Sequence, residues 1–225
     1  MNRQEAFIYN ENYSYFKSSL ERSGQTMHNL RLAARDYLHI WLPLGLKPGD
    51  KLLDVGCNIG TLGHMFKHTG VNTIGVDLNL AAILTGKQRY GVERKNLSLS
   101  KNFSLGTNFS LVGDGRSLPF TQHTFDAVVS QDVLEHLPDE QDAKQMLDEM
   151  AQMLKPGKDK MFHKITVREE KDNMDADKSH FIKWPAARWV DFFEANGWQV
   201  LGPTIRHFPL RKNNSYGNFL IQRAA

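Results

Sequence analysis

The stretch Leu53-Asp54-Val55-Gly56-Cys57-Asn58-Ile59-Gly60 decides the fold of this chain. It begins in an apolar run, 51–55, that is typical of a buried strand, and residues 61–68 continue with the apolar spacing of a helix. Glycine at 56 and 60 lets the chain turn tightly and lets a ligand approach the backbone. The stretch therefore predicts a strand–turn–helix unit with a ligand site at the turn, and a tight turn without a ligand is the alternative.

Two common phosphate-binding motifs do not fit this turn. A nicotinamide dinucleotide site needs glycine at position 58 and normally at 61, where this chain has Asn58 and Thr61. A P-loop fails as well, because no Gly-Lys-Ser/Thr follows. The carboxylate of Asp54 also favours a positive or hydrogen-bond-donating ligand over a pyrophosphate.

Outside this unit, strands and helices alternate. Apolar runs predict further strands at 73–76, 109–112, 125–130 and 160–166, and helices at 27–41, 79–89, 143–154 and 185–197. Such alternation implies right-handed crossovers and a parallel sheet covered on both faces. Two final strands, 198–205 and 218–222, have no helix between them, so we expect them to pair antiparallel at one edge. The predicted fold class is α/β, a doubly wound Rossmann-like sheet.

We predict one domain over residues 1–225. Within it, 1–45 would form an N-terminal helical arm, 46–165 the core that holds the ligand, and 166–225 a C-terminal helix and strand pair on the substrate side. The aromatic residues of the arm could pack as a cover or clamp a ligand. Residues 96–108 lengthen one crossover as a surface loop or hairpin, with a substrate lid or subunit contact as the alternative.

Polar residues follow the predicted strands at their carboxyl ends. Asp77 ends the second strand, 23 residues after Asp54, while Asp114 follows the third strand and Gln131 the fourth. Because the carboxyl ends of parallel strands meet at one edge of a sheet, we expect these side chains to converge. The Asp77 carboxylate can accept hydrogen bonds from two ribose hydroxyls, and that of Asp114 from an adenine amino group. Each acid alone could be a loop carboxylate or a helix cap, but together they predict a nucleoside site.

From about residue 46 to 157 the chain resembles the class I S-adenosylmethionine-dependent methyltransferases, close to the small-molecule and quinone-type group. Residues 53–60 are similar to the family's glycine-rich first motif, although Asn58 stands where glycine is more common. Asp77 matches the ribose-binding acid, and Asp114 with Gly115 matches the adenine-binding position. Residues 125–128 and 134–137 resemble the fourth-strand motif and its following turn. The segment 154–157 resembles the one before strand five, with Lys158 where a second glycine is often found.

The resemblance implies a seven-stranded sheet with a reversed last strand and S-adenosylmethionine as cofactor, with S-adenosylhomocysteine as product. The methyl group would move to a small-molecule acceptor by in-line displacement. An RNA or protein methyltransferase, or a non-catalytic cofactor-binding protein of the same fold, are the alternatives. By the resemblance, the cofactor-binding residues would be Asp54, Gly56, Cys57, Asn58, Gly60, Asp77, Leu78, Asp114, Gly115 and Gln131.

A hydroxyl acceptor would benefit from a general base with a pKa near working pH. His136, His163 and His180 are the candidates, because they lie in or after segments that we expect at the mouth of the site. His136 is the strongest, since it follows the fourth strand. Each could instead be an ordinary hydrogen-bonded histidine.

Composition bounds the partners. The 28 Lys+Arg and 25 Asp+Glu residues give a net charge of +3, too mild and dispersed to predict a nucleic-acid partner. The single cysteine excludes an intramolecular disulfide. No metal site is predicted: His64 and His68 have helical spacing but lack the intervening Glu of a zinc motif. We expect no membrane span and a cytoplasmic location, while the sequence predicts no oligomeric state.

Overall fold

The structure, a computed structural model, describes residues 37–90, 109–168, 179–201, 204–207 and 215–224. The strands in these ranges are β1 (Lys51–Val55), β2 (Asn72–Asp77), β3 (Phe109–Val112), β4 (Ala127–Gln131), β5 (Lys160–Val167), β6 (Trp198–Val200), β7 (Thr204–His207) and β8 (Ser215–Arg223). The α-helices in these ranges are α1 (Leu42–Leu44), α2 (Thr61–Phe66), α3 (Leu80–Tyr90), α4 (Glu140–Met153) and α5 (Ala186–Ala195). A π-helical turn, Tyr37–Trp41, precedes α1, and a 3-10 turn, Leu134–His136, precedes α4.

One sheet contains all of these strands, in the order β3-β2-β1-β4-β5-β8-β6, with β7 also paired to β8. Strands β1 to β5 are parallel, and β8 runs antiparallel to β5, β6 and β7. Since β6 and β7 pair with opposite ends of β8, they are two segments of one edge position. The predicted seven-stranded arrangement with a reversed last strand is therefore confirmed, with the detail that β8 lies inside the edge, between β5 and β6.

Apolar residues on both faces of the sheet explain the helices that cover it. Leu53 and Val55 of β1 face a large core that includes the apolar stripes of α4 and α5. Leu52 points the opposite way, into a smaller core with Leu62 and Phe66 of α2. Side chains of a strand alternate between faces, so these runs can be buried only when helices pack on both sides.

The strand order reverses at β1. From there the chain proceeds outward to β2 and β3, and then returns to the other side of β1 to add β4 and β5. Crossovers on the two sides leave a crevice at the carboxyl ends of β1 and β4, where ligands bind in open α/β sheets. The fold thus places the glycine-rich turn after β1 at this crevice.

Several sequence predictions fall partly or wholly outside the described residues. The N-terminal arm before residue 37, the insertion 96–108 and the charged stretch 169–178 lie there. Of the helix predicted at 27–41, the structure describes the π-helical turn 37–41; α1 follows it and is capped by Gly45 in the left-handed conformation. The division into arm, core and C-terminal part stays a prediction. Among the described helices, none has both the length and the apolar character needed to span a membrane.

Candidate active site

An open cleft lies at the carboxyl ends of β1, β2, β3 and β4. It is lined by Val55, Gly56, Asn58, Val76, Asp77, Leu78, Asn79, Gly113, Gly115, Gln131, Asp132, Val133, His136, Leu137 and Met146.

The turn after β1 is held by the neighbouring strand and by its own unusual backbone. The carbonyl of Val76 accepts hydrogen bonds from the N–H groups of Gly56 (2.7 Å) and Cys57 (3.1 Å). Gly56 has a φ of +76°, and a Cβ there would lie 2.2 Å from Cγ2 of Val133. Asn58 has a φ of +52°, a conformation that glycine adopts freely and that asparagine tolerates better than most residues. This explains how Asn58 can stand where the family more often has glycine.

Asp77 presents its carboxylate at the floor of the cleft. Its Oδ2 accepts the N–H of Asn58 (2.7 Å) and its Oδ1 the N–H of Asn79 (2.8 Å). Burial raises the pKa of the Asp77 carboxyl above its ordinary value, and the two N–H groups partly counter this. These bonds fix the orientation of the carboxylate, which has lone pairs left for further donors.

Asp114 lies between two cleft residues, Gly113 and Gly115, but its carboxylate is bound by Arg116. The guanidinium of Arg116 lies 2.8 Å from Asp114 Oδ2 and also forms an ion pair with Asp142 of α4 (3.0 Å). Burial raises the pKa of Asp114, but the hydrogen bonds and charge of Arg116 outweigh it and hold that pKa below its ordinary value. Asp114 is not among the residues that line the cleft.

Three predicted cofactor residues lie on the other side of the turn. Asp54, Cys57 and Gly60 line a small internal void with Thr73 and Ser110, separate from the cleft. Asp54 is buried. Because side chains alternate along β1, Asp54 points to the face opposite Val55, which is the face of the smaller core. Burial raises the pKa of the Cys57 thiol well above its ordinary value. The expectation that the carboxylates of Asp54, Asp77 and Asp114 converge is therefore wrong: Asp77 lines the cleft, whereas Asp54 faces away from it because of the strand alternation, and the Asp114 carboxylate is bound by Arg116.

The loop after β4 forms the opposite wall. Gln131 and Asp132 line the cleft, and Asp132 adopts a φ of +56°. The Asp132 carboxylate forms an ion pair with Lys164 of β5, and both side chains are largely buried. The Asp132 N–H also donates to the Lys164 carbonyl (2.8 Å). These contacts hold the loop in one conformation against the sheet.

Behind this wall, two of the predicted histidines meet a buried acid. The rings of His136 and His180 are 4.6 Å apart, edge to face, and His136 lines the cleft. Glu135 is fully buried, and its Oε1 accepts the N–H of Thr166 (2.7 Å). Burial, followed by the charge of Asp132, raises the pKa of Glu135 to about 8. The three side chains each offer an atom that could ligate a metal.

His163 does not reach the site. It is fully buried on β5, where its Nδ1 lies 2.8 Å from Ser130 Oγ and its ring stacks on Phe193 at 5.3 Å between centroids. Burial lowers its pKa to about 3. The prediction that His163 faces the mouth of the site is wrong, because the side of β5 that carries it packs against α5.

Other cleft residues were missed by the sequence prediction. Asn79 is a helix cap, since its Oδ1 accepts the N–H of Ala82 at the start of α3 (3.1 Å). A polar residue just before a helix is a signal that could have found it. Met146 belongs to the apolar stripe of α4, which predicts core and gives no sign that it also reaches the cleft. The missed residues are Val55, Val76, Asn79, Gly113, Asp132, Val133, Leu137 and Met146.

Comparison with known proteins fits this arrangement. Residues 53–159 match a protein family whose description is "Methyltransferase domain". A sterol 24-C-methyltransferase of Gibberella zeae is 30% identical over 128 residues, which cover 56% of this chain and 30% of the relative. A demethylmenaquinone methyltransferase of Renibacterium salmoninarum is 28% identical over 114 residues, which cover 51% of this chain and 40% of the relative. The chain thus spans less than half the length of these two curated relatives.

Among solved structures, the magnesium protoporphyrin IX methyltransferase of Synechocystis, crystallised with bound S-adenosylmethionine, superposes with a TM-score of 0.67 at 15% identity. The superposition covers 100% of this chain and 99% of that one, which indicates a shared fold. The glycine-rich turn, Asp77 and the loop after β4 all lie within residues 53–159, so the candidate site falls in the part of the chain that matches the methyltransferase domain family.

Proposed function

We propose that this protein transfers the methyl group of S-adenosylmethionine to a small-molecule acceptor. The observation that carries the proposal is Asp77: an oriented carboxylate in an open cleft beside a glycine-rich turn, within the matched methyltransferase domain. When bound, the cofactor supplies an electrophilic methyl group on a sulfonium sulfur. The relatives named for sterol, menaquinone and porphyrin methylation support a small molecule as acceptor.

In this proposal the cleft residues bind and orient the cofactor. Asp77 accepts hydrogen bonds from the ribose hydroxyls, and Leu78 packs beside the adenine. The backbone at Gly56 and Asn58 approaches the amino-acid end, with Gln131 on the facing wall. Gly115 lines the cleft beside the adenine. The family resemblance is the basis for proposing that Asp114, whose carboxylate is bound by Arg116 at the edge of the cleft, accepts the adenine amino group. Holding two reactants in line in this way can lower a barrier by about 7–11 kcal/mol.

The buried residues of the turn have a different role. We propose that Asp54, Cys57 and Gly60 keep the turn in shape from behind rather than contact the cofactor, because they lie away from the cleft. For a hydroxyl acceptor, we propose His136 as the general base, because it lines the cleft. His180 packs against His136 from behind. A cytoplasmic location and a single-domain organisation remain parts of the same proposal.

Calorimetric titration with S-adenosylhomocysteine tests the cofactor site. We expect saturable binding, and Asp77→Ala should weaken it about 10²–10⁴-fold, since two hydrogen bonds to a charged group contribute about 1.5–3 kcal/mol each. Asp191→Ala is the matched control, because Asp191 is exposed on α5 and does not line the cleft. Circular dichroism establishes that both variants fold. Absence of binding by the unaltered protein, or equal affinity in both variants, would refute the proposal.

A methyl-transfer assay against pooled small molecules, with labelled S-adenosylmethionine, then tests the acceptor class. We expect label to enter one compound or a family of related compounds. RNA as acceptor predicts instead an affinity for oligonucleotides that falls steeply with salt concentration. Label that enters RNA or protein, with none in the small-molecule pool, would contradict the proposal.

A further inference from the structure

The cluster Glu135, His136 and His180 is not explained by cofactor binding. One nitrogen or oxygen atom from each of these side chains lies within 4.8 Å of the other two. Glu135 and His180 are buried, while His136 borders the cleft. The cluster therefore connects the protein interior with the wall where an acceptor would sit.

Glu135 has the clearest need for a further partner. Its Oε1 accepts a backbone hydrogen bond, but its Oε2 is buried with no hydrogen-bond partner among the described residues. Lys164, the nearby cation, forms its ion pair with Asp132, and within the described part of the chain no ion pair of Glu135 is found. The ionised carboxylate is unfavourable in this situation unless a cation or a donor is added.

Main-chain hydrogen bonds hold the two histidine segments together. The carbonyl of Glu135 accepts the N–H groups of Phe181 (2.9 Å) and Ile182 (3.1 Å), which ties the segment around His180 to the 3-10 turn. Nδ1 of His136 lies 3.0 Å from the carbonyl oxygen of Ser179 and 3.1 Å from the Ser179 hydroxyl. When Nδ1 carries the proton and donates to the carbonyl, the lone pair of the neutral ring is on Nε2. Metal-binding histidines are commonly oriented by just such a bond from the other ring nitrogen to a carbonyl.

We propose that Glu135, His136 and His180 bind a divalent first-row transition-metal ion. Two imidazoles and one carboxylate favour zinc or its neighbours over magnesium and calcium, which prefer oxygen ligands. Three protein ligands also leave a coordination position open, as in catalytic rather than structural zinc sites. Because His136 borders the cleft, an acceptor bound in the cleft would lie on the side of the cluster that carries this ligand.

A consequence follows for the acceptor, and it rests on the proposed function. As a metal ligand His136 would no longer act as the base; instead, a hydroxyl oxygen bound to the metal would lose its proton to solvent more easily. The oxygen's electron pair then forms the new O–C bond, while the C–S bond breaks and its electrons go to sulfur to give S-adenosylhomocysteine. The acceptor class is therefore a hydroxyl-bearing small molecule.

Metal binding by the full chain, without any acceptor, tests the site. Chelator-treated protein is titrated with Zn²⁺ by calorimetry and with Co²⁺ by visible absorption, which reports its coordination. We expect one equivalent per chain. His136→Asn, His180→Asn and Glu135→Gln should each weaken affinity more than about 100-fold, since loss of a supporting contact alone costs about 10–100-fold. Glu135→Gln keeps the oxygen that accepts the Thr166 N–H.

His68→Asn is the control, because His68 is exposed on the surface just after α2 and forms the competing i, i+4 pair with His64. It should bind Zn²⁺ as the unaltered protein does, with the same Co²⁺ spectrum. No stoichiometric binding, equal binding by the three site variants, or loss of binding in His68→Asn would overturn the metal site. S-Adenosylhomocysteine titration of the same samples separates the two proposals, since cofactor binding that persists without metal binding refutes this inference alone.

Discussion

Replacing Gly56 by alanine should damage both stability and the cofactor site. The φ of +76° places an L-residue in the left-handed region, which costs about 1–2 kcal/mol. The added Cβ would also lie 2.2 Å from Cγ2 of Val133, so the cleft wall must move, and overpacking of this kind costs about 1–3 kcal/mol. Together these give a loss of about 2–5 kcal/mol in unfolding free energy. S-Adenosylhomocysteine affinity should fall as well, because both residues line the cleft.

Urea unfolding and calorimetry measure the two effects. Gly157→Ala is the matched control: its φ is +77°, but nothing lies within 4 Å of the added Cβ, so it should lose only the backbone contribution. Adding Val133→Ala to Gly56→Ala should recover part of the steric cost relative to the sum of the single variants. If Gly56→Ala is no more destabilising than Gly157→Ala, the close contact that shapes the cleft is not present and the argument fails.

Two further predictions use buried titratable groups. His163 stays neutral in the folded chain because burial lowers its pKa from 6.5 to about 3. Below pH 6.5 only the unfolded chain protonates it, so unfolding free energy should fall toward pH 3 by up to about 1.4 kcal/mol per pH unit. His163→Gln should flatten this slope in urea titrations at pH 4.5–7, and an unchanged slope would contradict the assignment. The Cys57 thiol, with its pKa raised by burial, should react with a thiol reagent only on unfolding; rapid labelling of the native protein would show that it is accessible.

Much of the architecture could be predicted from local sequence. Strands β1 to β5 and helices α2 to α5 follow from apolar periodicity, and glycine and proline mark where α4 and α5 stop or start. These signals are local, because a residue's backbone conformation depends strongly on its own type and its near neighbours. The acid at the end of β2 could be placed in the same way, since any residue that ends a parallel strand reaches the ligand-binding edge.

The positions of the other site residues required the tertiary structure. Asp54 precedes the turn as expected, but the alternation of β1 directs its carboxylate away from the cleft. Both His163 and His136 lie in segments that the sequence places near the mouth of the site. The packing of α5 on β5 buries His163, whereas His136 lies at the cleft wall.

Sequence by itself therefore determined the doubly wound sheet, the glycine-rich turn and the position of Asp77. Tertiary structure decided the pairing of Arg116 with Asp142, 26 residues away along the chain, and the meeting of Glu135 with His180, 45 residues away. The physical reason is that a helix or strand is selected by periodic patterns within a short window. The partner and the protonation of a side chain depend instead on which distant elements pack against it.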